Sequence, residues 1–142
     1  QNRMDADALI RAGGLQGWLA YDGERPIGWC NANAKERFAR LEAESAPWGA
    51  SAVGQRVLSV VCFVVAPAYR GRGVARRLLR EACAGAAQAG YHWAEAYPRK
   101  VDRNAAQAYH GPLALYLSES FAKVRELEQS WIVRRDLGRA RP

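Results

Sequence analysis

The stretch with the clearest chemical potential reads Val65-Ala66-Pro67-Ala68-Tyr69-Arg70-Gly71-Arg72-Gly73-Val74-Ala75. Glycines at positions 71 and 73 let a backbone turn tightly and let a ligand approach without meeting a Cβ. If a helix opens there, its first amides have no intrahelical acceptor, and the helix dipole adds positive potential at the same end. Arg70, Arg72 and Arg76 surround those amides with further charge. The chemistry on offer is anion capture, and the spacing proposes a pyrophosphate cradle. A Walker loop is excluded, because no Gly-Lys-Ser/Thr occurs in the stretch. A Rossmann fingerprint fits poorly, because Arg76 stands where its third glycine would be. A plain strand-to-helix turn with a solvated basic rim is the alternative that these residues leave open.

Such a turn needs a strand before it and a helix after it. Val57–Val65 reads VLSVVCFVV, broken only by Ser59. A β-branched run of this kind predicts a strand covered on both faces, central in its sheet and ended by Pro67. From Gly73 to Ala89 the apolar residues Ala75, Leu78, Leu79, Ala82, Cys83 and Ala86 form one helical stripe, and Gly90 is the stop. Tyr91–Tyr97 then reads as a strand closed by Pro98. This strand–helix–strand unit predicts two parallel strands with a right-handed crossover.

Around the unit, Trp18–Tyr21 and Pro26–Asn33 read as a hairpin turning at Asp22-Gly23. Asp5–Ala12 suits a short helix, Leu113–Glu119 another with Pro112 near its first turn, and Phe121–Leu127 and Ser130–Leu137 a final antiparallel pair. The polar segment Asn33–Ser51, with a short helical piece at Lys35–Leu41, is long for a loop and a candidate border for a substrate site. Arg99–Arg103 reads as a basic loop and Gly138–Pro142 as a tail. The expected class is an α/β (α+β) fold with a mixed sheet.

The 142 residues suit one domain spanning 1–142, with a start that reads as incomplete because Met4 follows Gln1-Asn2-Arg3. Half the chain is apolar, enough for a packed core. No apolar run approaches the roughly 18 residues that span a bilayer. Cys30, Cys62 and Cys83 are odd in number and far apart, which argues against a disulfide framework or a zinc site. Buried free thiols in a reducing cytoplasm are expected instead. The net charge of +7 suits a polyanionic ligand.

The segment Arg70–Ala75 resembles the R/Q-x-x-G-x-G/A motif of the GCN5-related N-acetyltransferases, and Val65–Gly71 resembles the V-x-P-x-Y-R-G that precedes it. The resemblance extends roughly from Trp18 to Leu137. It implies a sheet whose central strands splay, with acetyl-CoA wedged between them. The pantetheine arm would pair with Phe63, Val64 and Val65, and the pyrophosphate would sit on Arg70, Gly71, Arg72, Gly73, Val74 and Ala75, with Arg76 adding charge.

Leu115-Tyr116-Leu117-Ser118-Glu119-Ser120-Phe121 resembles the family's L-Y-x-x-x-G-F segment. The resemblance makes Tyr116 the proton donor to the departing thiolate, a role a neutral phenol can fill. Ser120 replaces the glycine, which puts that turn in question. Tyr109 stands where many members carry a cofactor-contacting Asn, and Ser59 where many carry a Glu. Glu95, on one strand face with Trp93 and Tyr97, is then the candidate base for the acceptor amine; the competing reading is a satisfied ion pair. His92 and His110 are weaker candidates. Trp18, Trp29 and Trp93 suit the core better than a pocket, and Trp48 is the exception.

The expected activity is acetyl transfer from acetyl-CoA to the amine of a small molecule or peptide, by direct attack in a ternary complex. No cysteine is placed as a nucleophile, Cys62 being expected in the buried strand. The alternatives are an O-acyl or longer-chain transferase, a catalytically degenerate CoA-binding regulatory module, and a nucleic-acid binder. The last is disfavoured, since no groove-reading helix or aromatic strand platform is evident. The final strands offer a homodimer contact that nothing in the residues demands.

Overall fold

The structure is a computed structural model, described here for residues 17–38, 54–101 and 108–138. The expectations for Asp5–Ala12, Trp48 and most of Asn33–Ser51 lie outside the described residues, as do those for 102–107 and the tail beyond Gly138.

Six strands form one mixed sheet: β1 (Gly17–Asp22), β2 (Arg25–Ala34), β3 (Val57–Val65), β4 (Trp93–Ala96), β5 (Ala122–Glu126) and β6 (Trp131–Asp136). Their order is β1-β2-β3-β4-β6-β5. The β1–β2 hairpin turns through Gly23 at φ 60°. β3 and β4 are parallel, as the strand–helix–strand pattern requires, and every other pair is antiparallel. The last two strands do pair, but β6 and not β5 lies against β4.

The crossover helix α1 spans Val74–Gln88, with Gly73 as N-cap and Gly90 left-handed at φ 87° beyond its end. Its stripe Leu78, Leu79, Ala82, Cys83 and Ala86 is buried. Against it lie Cys30, Ala32, Leu58, Val60 and Phe63 from one sheet face. Burial of each leucine stabilises the fold by about 2 kcal/mol. Gly28 makes the close approach possible: a Cβ there would sit 2.8 Å from Val74 Cγ1. A second short helix, α2 (Leu113–Ser118), buries Leu115 and Tyr116 in the same core.

The expectation that β3 is covered throughout its length holds for only half of it. Val57 to Val60 are buried, whereas Val64 is exposed, and Val61, Cys62 and Val65 are half-buried. The cause is the ladder. β3 pairs with β4 only from Val57↔Trp93 to Val60↔Ala96, while its pairing with β2 continues to Val65. The two strands therefore part after Val60. Cys62, expected inside, lies in the half-covered part, where partial burial raises its thiol pKa. Tyr91 and Tyr97, read as strand ends, fall outside the β4 ladder.

Candidate active site

Val61 is the residue at which β3 changes character. Asn31 faces Cys62 and Ala32 faces Val60, so Val61 bulges out of the β2 ladder at the point where β4 is lost. Bulges of this kind re-aim a strand beside functional sites. Beyond the bulge, hydrogen-bond direction follows from alternation. The Ala66 amide donates to the Ile27 carbonyl at 2.8 Å. In an antiparallel pair, Val64 then also faces β2, while the backbone groups of Phe63 and Val65 point away, into the gap left by β4. The Val65 carbonyl obeys this: it accepts from Arg70 Nε at 3.1 Å. Of the three residues expected to pair with a ligand, Phe63 and Val65 have the required direction. Val64 borders the gap, but its amide belongs to β2.

A groove runs from this gap to the start of α1. One part, about 450 Å³, is lined by Val65, Arg70, Gly71, Gly73, Val74, Ala75 and Arg76, with Pro112, Ala114 and Leu115 opposite. An adjoining part, about 390 Å³, shares Val65, Arg70, Ala75 and Pro112 and adds Phe63, Tyr109 and Gly111. At the helix end Gly71 and Gly73 take φ 73° and 80°, where a non-glycine residue is strained. A Cβ built on either meets nothing within 4 Å. No side chain caps α1, and no acidic residue stands in its first turn. The amides of Val74, Ala75 and Arg76 thus face a concave, basic, uncapped helix start, which fits the phosphate groups expected there.

The arginines divide their work. Arg70 lines the groove. The Arg72 guanidinium sits 5.4 Å from the centre of the Tyr69 ring and is not among the lining residues. The Arg76 side chain turns to α2, donating to Ser118 Oγ at 2.6 Å and Glu119 Oε1 at 2.7 Å. Arg80 pairs with the same carboxylate. These two arginines hold the Glu119 carboxyl below its ordinary pKa. Arg76 therefore offers the groove its backbone, while its charge is shared with Glu119.

Tyr116 lies one layer behind the groove. It is fully buried against Phe63 and Phe121, and its hydroxyl donates to the His110 carbonyl at 2.5 Å. Burial pushes its pKa well above the usual phenol value, so it is protonated at neutral pH. Gly111, at φ 81°, is the wall in front of it: a Cβ there would lie 2.9 Å from the hydroxyl. The missing side chain lets this segment pack directly on the phenol and on Phe63. Ser120 keeps the turn after α2 by taking φ 69° itself, the one left-handed non-glycine among the described residues.

Glu95 is placed differently from the base read in the sequence. It is fully buried, with Lys35 Nζ 2.8 Å from Oε1 and Arg134 Nε 2.5 Å from Oε2. Tyr97 Oη donates to Oε1 at 2.8 Å and is itself 2.6 Å from Ser59 Oγ. Burial, then the neighbouring carboxylate, raises the Tyr97 pKa. The satisfied ion pair, the competing reading of Glu95, describes these surroundings, and none of the residues lining the groove is in this cluster. Lys35 and Arg134, which complete it, carried no motif to single them out. His92 is also structural in its contacts: its Nδ1 accepts from the Arg56 amide at 2.9 Å.

A mixed sheet that opens beside a glycine-turned, uncapped helix start is an α/β architecture with a groove ending at bare backbone amides. The model of the acetyltransferase (GNAT) family matches residues 2–111, and the chain belongs to that family. Tyr116 lies beyond the matched segment. Among solved structures, a protein of the GNAT family from Desulfovibrio desulfuricans superposes with a TM-score of 0.67 at 15% identity, covering 93% of this chain and 76% of that one. A Salmonella typhimurium protein solved with its cofactor acetyl-CoA gives 0.62 at 16%, covering 96% and 73%. The Escherichia coli ribosomal-protein-S18-alanine N-acetyltransferase gives 0.60 at 14%, covering 92% and 77%. Among curated proteins no sequence match is found. The splayed mixed sheet expected from the motif is thus the observed fold. No described helix is long and apolar enough to cross a membrane.

Proposed function

We propose that the protein transfers an acetyl group from acetyl-CoA to an amine held at the gap between β3 and β4. The observation that carries this reading is the continuity of the groove from the uncapped amides of Val74–Arg76 to the outward-facing backbone of Phe63 and Val65. The helix start binds pyrophosphate, and the strand edge pairs with the amide-bearing arm as an added strand would. Arg70 braces the junction through the Val65 carbonyl.

In the transfer, the amine nitrogen forms a bond to the thioester carbonyl carbon while a backbone amide of the free β3 edge polarises the carbonyl oxygen. The carbon–sulfur bond then breaks, the Tyr116 hydroxyl gives its proton to the sulfur past Gly111, and the phenolate is reprotonated from the solvent that receives the amine's proton. Holding both reactants in this geometry supplies much of the rate. Glu95 is assigned a structural role: with Lys35 and Arg134 on its two oxygens, it locks the paired half of β3 to β4 and leaves the amine's proton to solvent. The amine is that of a small molecule or a peptide.

Titration calorimetry with acetyl-CoA, followed by thiol release across a panel of amines, tests the reading. Binding together with amine-dependent thiol release is expected. Binding without release by any amine would favour a regulatory CoA-binding module, and no binding would remove the cradle.

A further inference from the structure

We propose that His110 is a positioning residue that fixes Tyr116 relative to the free edge of β3; this rests on the transfer reading above. The bulged Val61 is the first residue of β3 with no β4 partner, so its carbonyl needs another donor. His110 Nδ1 lies 3.2 Å from that oxygen. A carbonyl only accepts, so Nδ1 carries the hydrogen. The same residue's carbonyl receives the Tyr116 hydroxyl. Its ring lies tilted against that of Tyr109, with centroids 4.1 Å apart, and Tyr109 lines the groove. Gly111 follows directly, with the φ of 81° that brings the segment in front of the phenol.

One residue therefore joins the bulge, the phenol and the groove wall. Val61 and Tyr116 are 55 positions apart in the chain, and no described hydrogen bond links them except through His110. Where β4 lets go, His110 takes over as the neighbour of β3. It replaces one lost ladder bond and sets how far the strand edge stands from the proton donor. Errors of about 1 Å in such spacing cost large rate factors.

The two histidines of the chain give the first test an internal contrast. His92 Nδ1 accepts an amide hydrogen and so is bare, whereas His110 Nδ1 is protonated. In ligand-free protein at mildly alkaline pH, nitrogen NMR should show one neutral imidazole of each tautomer; two with hydrogen on Nε2 would overturn the proposal. The second test is kinetic. Asn places Nδ2 the same number of bonds from Cα as His places Nδ1, so His110→Asn keeps the donor and His110→Leu loses it. With the best amine of the panel, His110→Leu should lower kcat about tenfold with little change in the KM for acetyl-CoA, and His110→Asn should recover most of the loss. In a Tyr116→Phe background the leucine change should cost less than about twofold. Equal losses in Asn and Leu, or full additivity with Tyr116→Phe, would overturn the positioning role. If wild-type protein does not bind acetyl-CoA, the transfer reading fails and the positioning role falls with it, whatever the tautomer.

Discussion

β3 is two strands in one. Its first half, Val57–Val60, is hydrogen-bonded on both edges and buried. Its second half, after the bulge at Val61, keeps β2 but loses β4, and its exposure rises. Both halves have charge beside them, handled in opposite ways. Next to the first half, the buried Glu95 carboxylate has Lys35 and Arg134 as ion-pair partners and accepts a hydrogen bond from Tyr97. Next to the second half, the helix start is uncapped and Arg70 and Arg76 line a groove. A sealed polar cluster gives rigidity and register; an unsatisfied one gives binding. The paired half serves as the fulcrum from which the open half is held apart.

The contrast breaks most severely in the sealed half. Glu95→Ala removes the carboxylate beside the buried Lys35 and should cost about 3–5 kcal/mol in urea unfolding. A loss below about 1 kcal/mol would show that the cluster does not hold the strands together. In the open half, Gly73→Glu adds a carboxylate at the uncapped helix start, and acetyl-CoA affinity should fall about a hundredfold or more by calorimetry. A near-normal affinity would contradict the cradle. Tyr116→Phe should slow turnover about tenfold or more while CoA affinity persists, and unchanged turnover would remove the phenol from the reaction.

Smaller effects sharpen the picture at the groove's edge. Ser120→Gly relieves a left-handed serine and should raise stability by about 1 kcal/mol, read as a higher Tm. Destabilisation would mean that the serine side chain contributes more than its strain costs. Finally, the Glu119 pKa is lowered from its ordinary 4.5 by hydrogen bonds from Arg80 and Arg76. A depressed carboxylate stabilises the folded state above its unfolded pKa and loses that effect as pH falls through the folded value. The Tm should therefore decline below about pH 4.5 through this tie between α1 and α2, and Glu119→Gln should flatten that part of the profile. An unchanged profile would show that the tie is not thermodynamically felt.

Much of this was legible locally. The run Val57–Val65, the glycine turn and the stripe of α1 are patterns in which each residue's neighbours in sequence are also its neighbours in space, so their ends agree with the structure to within a residue or two. The resemblance of Arg70–Ala75 to a family motif had the same basis, since a cradle made of consecutive amides is written in consecutive residues. Glu95 was ambiguous for the opposite reason. Its partners Lys35 and Arg134 lie 60 and 39 positions away, and nothing near residue 95 announces them.

The sequence by itself determined which segments become strands and helices, and where an anion would find bare amides, because periodicity and glycine spacing act over a few residues. Only the tertiary structure decided that β6 separates β4 from β5, that β3 bulges at Val61, that Val64 turns its amide to β2, and that His110 stands against β3 where β4 departs. Those facts depend on which distant backbone groups find each other. Every non-proline residue carries the same backbone donor and acceptor, and the side chains that select the partner lie far away in the chain, so there is no local mark of the pairing.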